Sequence, residues 1–269
     1  MRIFLSLLFF NSFFVSFSQE ELSWKQNYSI DYIANSAWGI DAQGSLITSG
    51  KGVLTKIDST GTVKFKQSII HIGKASEIEP INSMKIIVFC ENQQTFCSFD
   101  NTLTLTENCL DLANFGVQTV SNIAVSSLSD RIWILDQVNY RLLLMNLQTN
   151  YIVETGNLKG MLSLNQIDEL KEMNNVFYVF DATKGIYSFD IYGSLMKHYE
   201  IKDATKFDAF GENLIVLRNN VLQVIDTETS LSKEYTLPIE GVLDFKMNSQ
   251  YVYLQTVDKI FCFSINVEN

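Results

Sequence analysis

Histidine is nearly absent from this chain of 269 residues, which contains only His71 and His198. In the repeats described below, His71 falls in the link between the first and second repeats, and His198 falls on the outer strand of the fourth. Two histidines so placed do not meet, which weighs against a histidine dyad and a histidine-rich metal site. The chain also lacks a Gly-x-Ser-x-Gly elbow and therefore offers no serine nucleophile motif.

Positive charge is also scarce. Lysine and arginine together number 20 against 30 aspartate and glutamate residues, and no basic run interrupts the acidic excess. A chain of net charge −10 with dispersed charges is not drawn to nucleic acid phosphates or to anionic membrane surfaces. We therefore expect neither as a partner.

Long apolar runs are confined to the N-terminus. After Arg2, residues 3–17 are almost wholly apolar. Ser16 and Ser18 are small residues at the two positions that signal peptidase recognises. This run is too short for a bilayer about 30 Å thick, and no cysteine follows it to carry a lipid anchor. We predict that residues 1–18 are a cleaved signal peptide. The mature chain, with no transmembrane segment, is then exported to the periplasm or the cell exterior.

One pattern recurs six times along the chain. A very apolar strand is followed by a polar hairpin and a second apolar strand, then by a turn and a more polar outer strand. The residues that close the second apolar strand lie 42, 46, 44, 36 and 38 positions apart: Asp58, Asp100, Asn146, Asp190, Asp226 and Ser264. This spacing is typical of four-stranded propeller blades, which need about 40–50 residues each.

These repeats predict an all-β fold, a six-bladed β-propeller of four-stranded antiparallel blades formed by residues 19–269 as a single domain. Strands that are apolar on both sides fit blades covered by neighbours on both faces. The sixth repeat lacks its outer strand, whereas residues 22–29 form a spare strand ahead of the first repeat. We expect this strand to pair with residues 259–265 and close the ring, with Trp24 and Tyr28 packed on the last blade.

One blade resembles a known repeat family. In residues 132–146, IWILDQVNYRLLLMN, the side chains of Asp136, Asn139 and Arg141 match the strand–Asp–x–x–Asn–x–Arg–strand frame of NHL repeats. The resemblance implies that these polar groups tie the hairpin together. The fourth repeat is more similar to a quinoprotein-type repeat. The resemblance is therefore to the six-bladed β-propeller superfamily, and it implies a fold without implying one function.

The propeller fold implies a binding face at one end of the central channel. Hairpins between the second and third strands of each blade lie at that end, and loops on rigid scaffolds are common binding positions. In this chain those hairpins are polar. The residues that we predict for a ligand or partner face are Lys51, Asp136, Asn139, Tyr140, Asp181, Lys184, Asn219 and Asp258.

The innermost strands present a second set of polar residues. Each predicted inner strand carries one oxygen-bearing side chain at a similar register: Asp41, Glu77, Asn122, Asp168, Asp208 and Asp244. Six-bladed lactonases hold a divalent cation with such groups, so a resemblance to them implies Ca²⁺ or another divalent cation. The alternative is a water-filled channel whose acidic lining is plain solvation, with no cofactor.

None of the four cysteines has the Cys-x-x-Cys spacing of a zinc site. If the turn after Cys97 centres on Leu103, Cys97 and Cys109 face each other on antiparallel strands, at about the separation that a disulfide requires. An oxidising compartment permits this bond. Cys90 and Cys262 fall in apolar strands, where we expect them to be buried.

Three functions follow from these observations. The leading hypothesis is an exported, monomeric, non-catalytic binding or scaffold propeller that contacts a cell-envelope protein or a small ligand through one face of the disc. The first alternative is a metal-dependent hydrolase or lactonase with a cation held by the channel carboxylates. The second is an envelope glycan-binding protein, which would use exposed aromatic residues such as Tyr140 or Phe115.

Overall fold

The computed structural model describes residues 22–117, 119–128, 130–136, 138–139, 141–149, 151–158 and 167–267. The predicted signal peptide, residues 1–18, lies outside them. The described chain forms six four-stranded antiparallel sheets, and the inner strands of successive sheets contact one another around a ring. The prediction of an all-β, six-bladed propeller is confirmed. The described residues contain no helix that is long and apolar enough to cross a membrane.

Each blade runs from the channel outward in chain order. Blades 1 and 2 consist of β2 (Trp38–Ile40), β3 (Leu46–Gly50), β4 (Val53–Ile57), β5 (Val63–Ser68), and of β6 (Glu77–Asn82), β7 (Lys85–Cys90), β8 (Thr95–Asp100), β9 (Leu110–Asp111). Blades 3 and 4 consist of β10 (Val120–Val125), β11 (Arg131–Asp136), β12 (Arg141–Asn146), β13 (Tyr151–Asn157), and of β14 (Glu169–Met173), β15 (Val176–Asp181), β16 (Gly185–Asp190), β17 (Leu195–Tyr199). Blades 5 and 6 consist of β18 (Lys206–Phe210), β19 (Asn213–Arg218), β20 (Val221–Asp226), β21 (Ser232–Thr236), and of β22 (Asp244–Met247), β23 (Tyr251–Gln255), β24 (Lys259–Val267), β1 (Leu22–Asp31).

The N-terminal strand closes the ring, as predicted. β1 pairs with β24 along its whole length and ends at Asp31, beyond the predicted end at Ser29. The ring of Trp24 meets Phe263 edge-on at 5.8 Å, and that of Tyr28 meets Tyr253 at 6.5 Å. The last blade therefore receives its outer strand from the start of the chain.

The hydrophobic core lies between the blades. Trp133 of blade 3 packs on Phe177 of blade 4 at 4.9 Å, and Phe180 of blade 4 packs on Phe207 of blade 5 at 5.4 Å. Middle strands such as β7 and β15 are buried on both faces because a neighbouring blade covers each face. This explains why those strands read as continuous apolar runs.

The closing aspartates of the repeat shape the turns into the outer strands. The Oδ1 atom of Asp58 accepts the backbone N–H groups of Thr60 and Thr62, at 2.9 and 3.0 Å. The Thr60 hydroxyl also donates to this atom at 2.6 Å, and its hydrogen bond, together with those of the backbone, lowers the pKa of Asp58 to about 2. The same turn recurs at three other blades, closed by Asp100, Asp190 and Asp226. The sequence signal thus has a local cause, an aspartate that satisfies turn donors.

A disulfide joins Cys97 to Cys109 in blade 2. The intervening turn places Leu103 in the left-handed region at φ 66°. The outer strand β9 has only two residues, so this bond holds the outer segment of the blade where strand pairing is short. Cys90 and Cys262 are free and buried.

The two histidines lie on different blades. His71 falls in a 3₁₀ turn, Ile70–Ile72, between blades 1 and 2, and His198 lies on β17 of blade 4. These are the positions that the repeat register predicts. Two further 3₁₀ turns of the described residues are Glu91–Gln93 and Leu112–Phe115.

Candidate functional site

The disc has two distinct faces. One side of the disc carries the links between blades and the hairpins between second and third strands, and we call this side the upper face. The lower face carries the turns between first and second strands and between third and fourth strands. This follows from the antiparallel order of each blade, in which the chain ends alternate between the two sides.

The channel is lined by two tiers of charge. The inner strands of blades 2, 4, 5 and 6 each carry two charged residues that flank a buried apolar residue, such as Ile78 or Phe207. Because side chains alternate along a strand, both charges of each strand point into the channel. The upper tier consists of Glu77, Glu169, Lys206 and Asp244, and the lower tier consists of Glu79, Lys171, Asp208 and Lys246.

The lower tier is balanced in charge and forms two ion pairs. Lys171 Nζ lies 3.6 Å from Asp208, and Lys246 Nζ lies 3.5 Å from Glu79. The second pair spans blade 1, which contributes no charged residue from β2. Gly39 on β2 permits a close approach to blade 2, since a Cβ there would lie 2.4 Å from the carbonyl oxygen of Ile78. We call these two ion pairs the waist.

A cavity lies on each side of the waist. The upper cavity has a volume of about 320 Å³ and the lower one about 400 Å³. Glu79, Lys171 and Lys246 line both of them, so the waist forms the floor of the upper cavity. Tyr32 and Trp38 contribute aromatic walls above it.

The upper tier carries three carboxylates and one ammonium group. Lys206 Nζ lies 4.0 Å from Glu169, and Asp244 accepts a hydrogen bond from Trp38 Nε1 at 3.2 Å. Glu77 stands on blade 2, opposite Lys206 on blade 5. Since Lys171 and Lys246 also line the upper cavity, six acidic residues face three lysines there, and an excess of negative charge remains.

Glu77 is the carboxyl group most affected by this setting. Burial and the neighbouring Glu79 raise the pKa of Glu77 to about 8, so it holds a proton at neutral pH. Its Oε2 atom accepts the N–H of Ile123 at 3.4 Å. Burial also raises the pKa of Glu169, whereas Lys246 lowers the pKa of Glu79 against the effect of burial. Adjacent carboxyl groups thus differ in their protonation.

Four of the six predicted channel residues share one cavity. Glu77, Asn122, Asp168 and Asp244 line the upper cavity. Asn122 donates to the carbonyl oxygen of Asp168 at 3.0 Å, and Asp168 Oδ2 accepts the N–H of Ala182 at 2.8 Å. Across the described chain, no three His, Cys, Asp or Glu side chains are grouped so that they could hold a metal ion.

The other two predicted channel residues lie elsewhere. Asp208 belongs to the lower tier, where Lys171 pairs with it. The prediction that Asp41 enters the channel is wrong because β2 ends at Ile40 and Asp41 starts the following turn. There it is buried, 3.0 Å from Lys56 Nζ, and accepts the N–H of Ser45 at 2.7 Å.

Two predicted hairpin residues are buried within their own hairpins. Asp136 accepts hydrogen bonds from Asn139 at 2.9 Å and from Arg141 at 2.6 Å, the arrangement that the NHL resemblance implies. Asp181 accepts the backbone N–H of Thr183 at 2.8 Å. Both carboxylates therefore fix the hairpin shape and do not face solvent.

The remaining hairpin residues lie on the upper face. Lys51, Asn139, Asn219 and Asp258 are exposed, and Lys184 is half-buried. Tyr140 lies outside the described residues. Phe115, the other aromatic residue considered for glycans, is half-buried and packs against the core between blades 2 and 3.

Lys51 lines a second cavity of the upper face, which we call the groove. It has a volume of about 560 Å³ and runs over blade 1 between the β3–β4 hairpin and the links before β2 and after β5. Ser36 lines both the groove and the upper cavity, so the two adjoin.

Comparison with known proteins finds relatives in structure only. No family profile matches the chain, and no curated protein matches its sequence. A streptogramin B lyase structure is similar, at 11% identity over 91% of this chain and 98% of the lyase, with a TM-score of 0.61. The WD40 domain of Neurospora crassa Pan2 is similar at 12% identity over 93% and 97% of the two chains, with a TM-score of 0.61.

A protein of unknown function from Bacteroides thetaiotaomicron is also similar, at 10% identity over 91% of this chain and 77% of that one, with a TM-score of 0.65. Likenesses at such low identity show the fold alone. Together with the six sheets, they establish that the chain has a six-bladed β-propeller fold.

Proposed function

We propose that this chain is an exported, non-catalytic binding propeller that engages a small ligand or a cell-envelope protein through its upper face. The observation that carries this proposal is the upper cavity. It lies on the upper-face side of the channel, and residues of the waist line its lower end. A polar cavity on a rigid scaffold is suited to hold a ligand group.

The charge of the upper cavity favours a ligand that carries a positive group. Six acidic residues and three lysines line the cavity, so negative charge is in excess even with a proton on Glu77, and Tyr32 and Trp38 offer aromatic surface beside them. An ammonium group attracts carboxylates and also aromatic faces. A volume of about 320 Å³ suits a small organic molecule or one side chain of a partner.

Export is part of this proposal. The apolar N-terminal segment and the small residues Ser16 and Ser18 support a cleaved signal peptide. The disulfide between Cys97 and Cys109 supports an oxidising compartment, since such bonds persist outside the cytosol.

A metal-dependent hydrolase is the second candidate. It is favoured by Glu77, Asn122, Asp168 and Asp244, whose oxygen atoms line one cavity. A pKa of about 8 for Glu77 also lies near the range in which a carboxyl group exchanges protons at neutral pH. In this case a divalent cation, and not an organic cation, would occupy the upper tier.

Thermal unfolding of the chain from Gln19 separates these candidates. We expect organic ammonium compounds to raise the melting temperature, by several degrees at about 100 times the dissociation constant. The increase should vanish in Asp244→Asn, in the upper tier, and persist in Asp208→Asn, in the lower tier. An increase with Ca²⁺, Mg²⁺, Mn²⁺ or Zn²⁺ alone, lost in Asp244→Asn, would replace the binding proposal with the hydrolase.

A further inference from the structure

The groove combines exposed apolar side chains with a glycine-rich hairpin. A Cβ at Gly50 would lie 2.8 Å from Ile33, and one at Gly52 would lie 2.6 Å from Ile70. The bare backbone of the hairpin therefore packs directly against both isoleucines. Ile70 is nevertheless 74% exposed, because it stands on a 3₁₀ turn above the disc. An isoleucine this exposed has no role in the core of the propeller.

The groove is positive, whereas the chain as a whole carries a net negative charge. Lys51 and Lys74 line it, and no aspartate or glutamate does. Neither lysine forms an ion pair with a residue that the structure describes. The adjoining upper cavity, by comparison, is lined by three lysines and twice as many acidic residues, which are Glu77, Glu79, Glu91, Asp168, Glu169 and Asp244. The chain has a net charge of −10, but the groove is a local positive patch that attracts negatively charged groups.

The shape of the groove fits a protein segment better than a small molecule. Small ligands are usually enclosed in concave pockets that bury about 70–90% of their surface. Here Ile70 projects outward, with lysines beside it, as an apolar anchor with a polar rim does in protein interfaces.

We infer that the groove docks an extended segment of a partner protein in which an apolar side chain is flanked by aspartate or glutamate. The apolar side chain covers Ile33 and Ile70, and the acidic residues pair with Lys51 and Lys74. This inference rests on the proposed function, since it names the partner chemistry for the same upper face.

Selection from a random peptide library displayed on phage tests the inference on the chain from Gln19. Peptides that emerge are synthesised, and their affinities are measured for the wild type, Ile70→Ser and the double variant Lys51→Asn/Lys74→Gln. Asparagine suits position 51 because Lys51 has a φ of 50°. Leu231→Ser is the matched control, since Leu231 is 73% exposed on a lower-face turn.

We expect selected peptides to combine acidic and branched apolar residues. Ile70→Ser should weaken their binding at least tenfold, and the double lysine variant about three- to tenfold at low salt, with a smaller effect at high salt. Leu231→Ser should bind them as the wild type does. Peptides that are basic, that bind Ile70→Ser equally well, or that do not emerge at all would overturn the inference. A melting shift with ammonium compounds would leave the proposed function standing in that case.

Discussion

A chain that begins at Tyr32 instead of Gln19 is expected to lose cooperative unfolding altogether. The deletion removes β1, which is the outer strand of blade 6 and pairs with β24 along its whole length. It also removes the rings of Trp24 and Tyr28 from Phe263 and Tyr253. The free energy lost with a full strand and these contacts is comparable to the whole free energy of unfolding of a domain, about 5–15 kcal/mol. Circular dichroism during heating would show a broad, shallow change in place of a sharp transition.

A chain that begins at Leu22 is the matched control for this deletion, because it keeps all of β1. It should melt as the chain from Gln19 does. A synthetic peptide of residues 19–32, added during refolding of the shortened chain, should restore a sharp transition by supplying the strand in trans. If the chain from Tyr32 melts sharply within a few degrees of the full one, β1 does not close the ring.

Replacing Glu77 with glutamine is expected to stabilise the protein at neutral and alkaline pH by about 1–3 kcal/mol. The pKa of Glu77 rises from 4.5 to about 8 on folding, because of burial and the nearby Glu79 and Glu169, which outweigh Lys246. Between these values the folded chain holds a proton that the unfolded chain has released. Wild-type stability should therefore fall as the pH rises from about 4.5 to about 8.

Urea unfolding at several pH values measures this effect. Glu77→Gln should have a shallower slope than the wild type between pH 5 and 8, where Glu169 still contributes, and should match the wild type near pH 4. Glu79→Gln is the control of opposite sign. Since Lys246 and Lys171 lower the pKa of Glu79, its charge stabilises the fold, and its loss should destabilise the protein at pH 7 by about 1–2 kcal/mol. A Glu77→Gln variant less stable than the wild type at pH 8 would contradict the assignment.

Local patterns made the fold predictable. The middle strands of each blade, such as Thr95–Asp100 and Arg141–Asn146, are apolar runs with polar hairpins between them, which is the pattern of the repeat. The closing aspartates of the repeat accept hydrogen bonds from turn N–H groups, so their spacing indicated the length of each blade directly. The last repeat lacks an outer strand and a spare strand precedes the first repeat, and together these two features predicted that the N-terminal strand closes the ring.

The charge of the channel was only partly predictable. A search for metal-binding oxygen atoms selects Glu77 and Asp244 but passes over Lys171, Lys206 and Lys246, which line the same cavity. The sequence did contain a signal for these lysines, because pairs such as Glu169 and Lys171 flank one apolar residue on a strand. The pairing of Lys246 with Glu79 could not be predicted from the sequence, since it depends on how closely Gly39 lets blades 1 and 2 approach each other.

Position in the channel also depends on strand length, which the sequence did not reveal. β2 has three residues, so Asp41 falls in a turn although the repeat register predicts an inner-strand position. The hairpin residues show a similar limit. Asp136 and Asn219 both lie in polar hairpins, yet Asp136 is buried by its own hydrogen bonds and Asn219 is exposed. Packing, and not residue type, decides which of them a partner can reach.

Site-specific photo-crosslinking in cells of the source organism tests most directly whether the upper face is the binding face. A photoreactive phenylalanine analogue is placed at Val257, which is 65% exposed on an upper hairpin, or at Met84, which is 61% exposed on a lower turn. We predict crosslinked species at position 257 and none at position 84. Crosslinks at position 84 but not at position 257 would contradict an upper-face binding role.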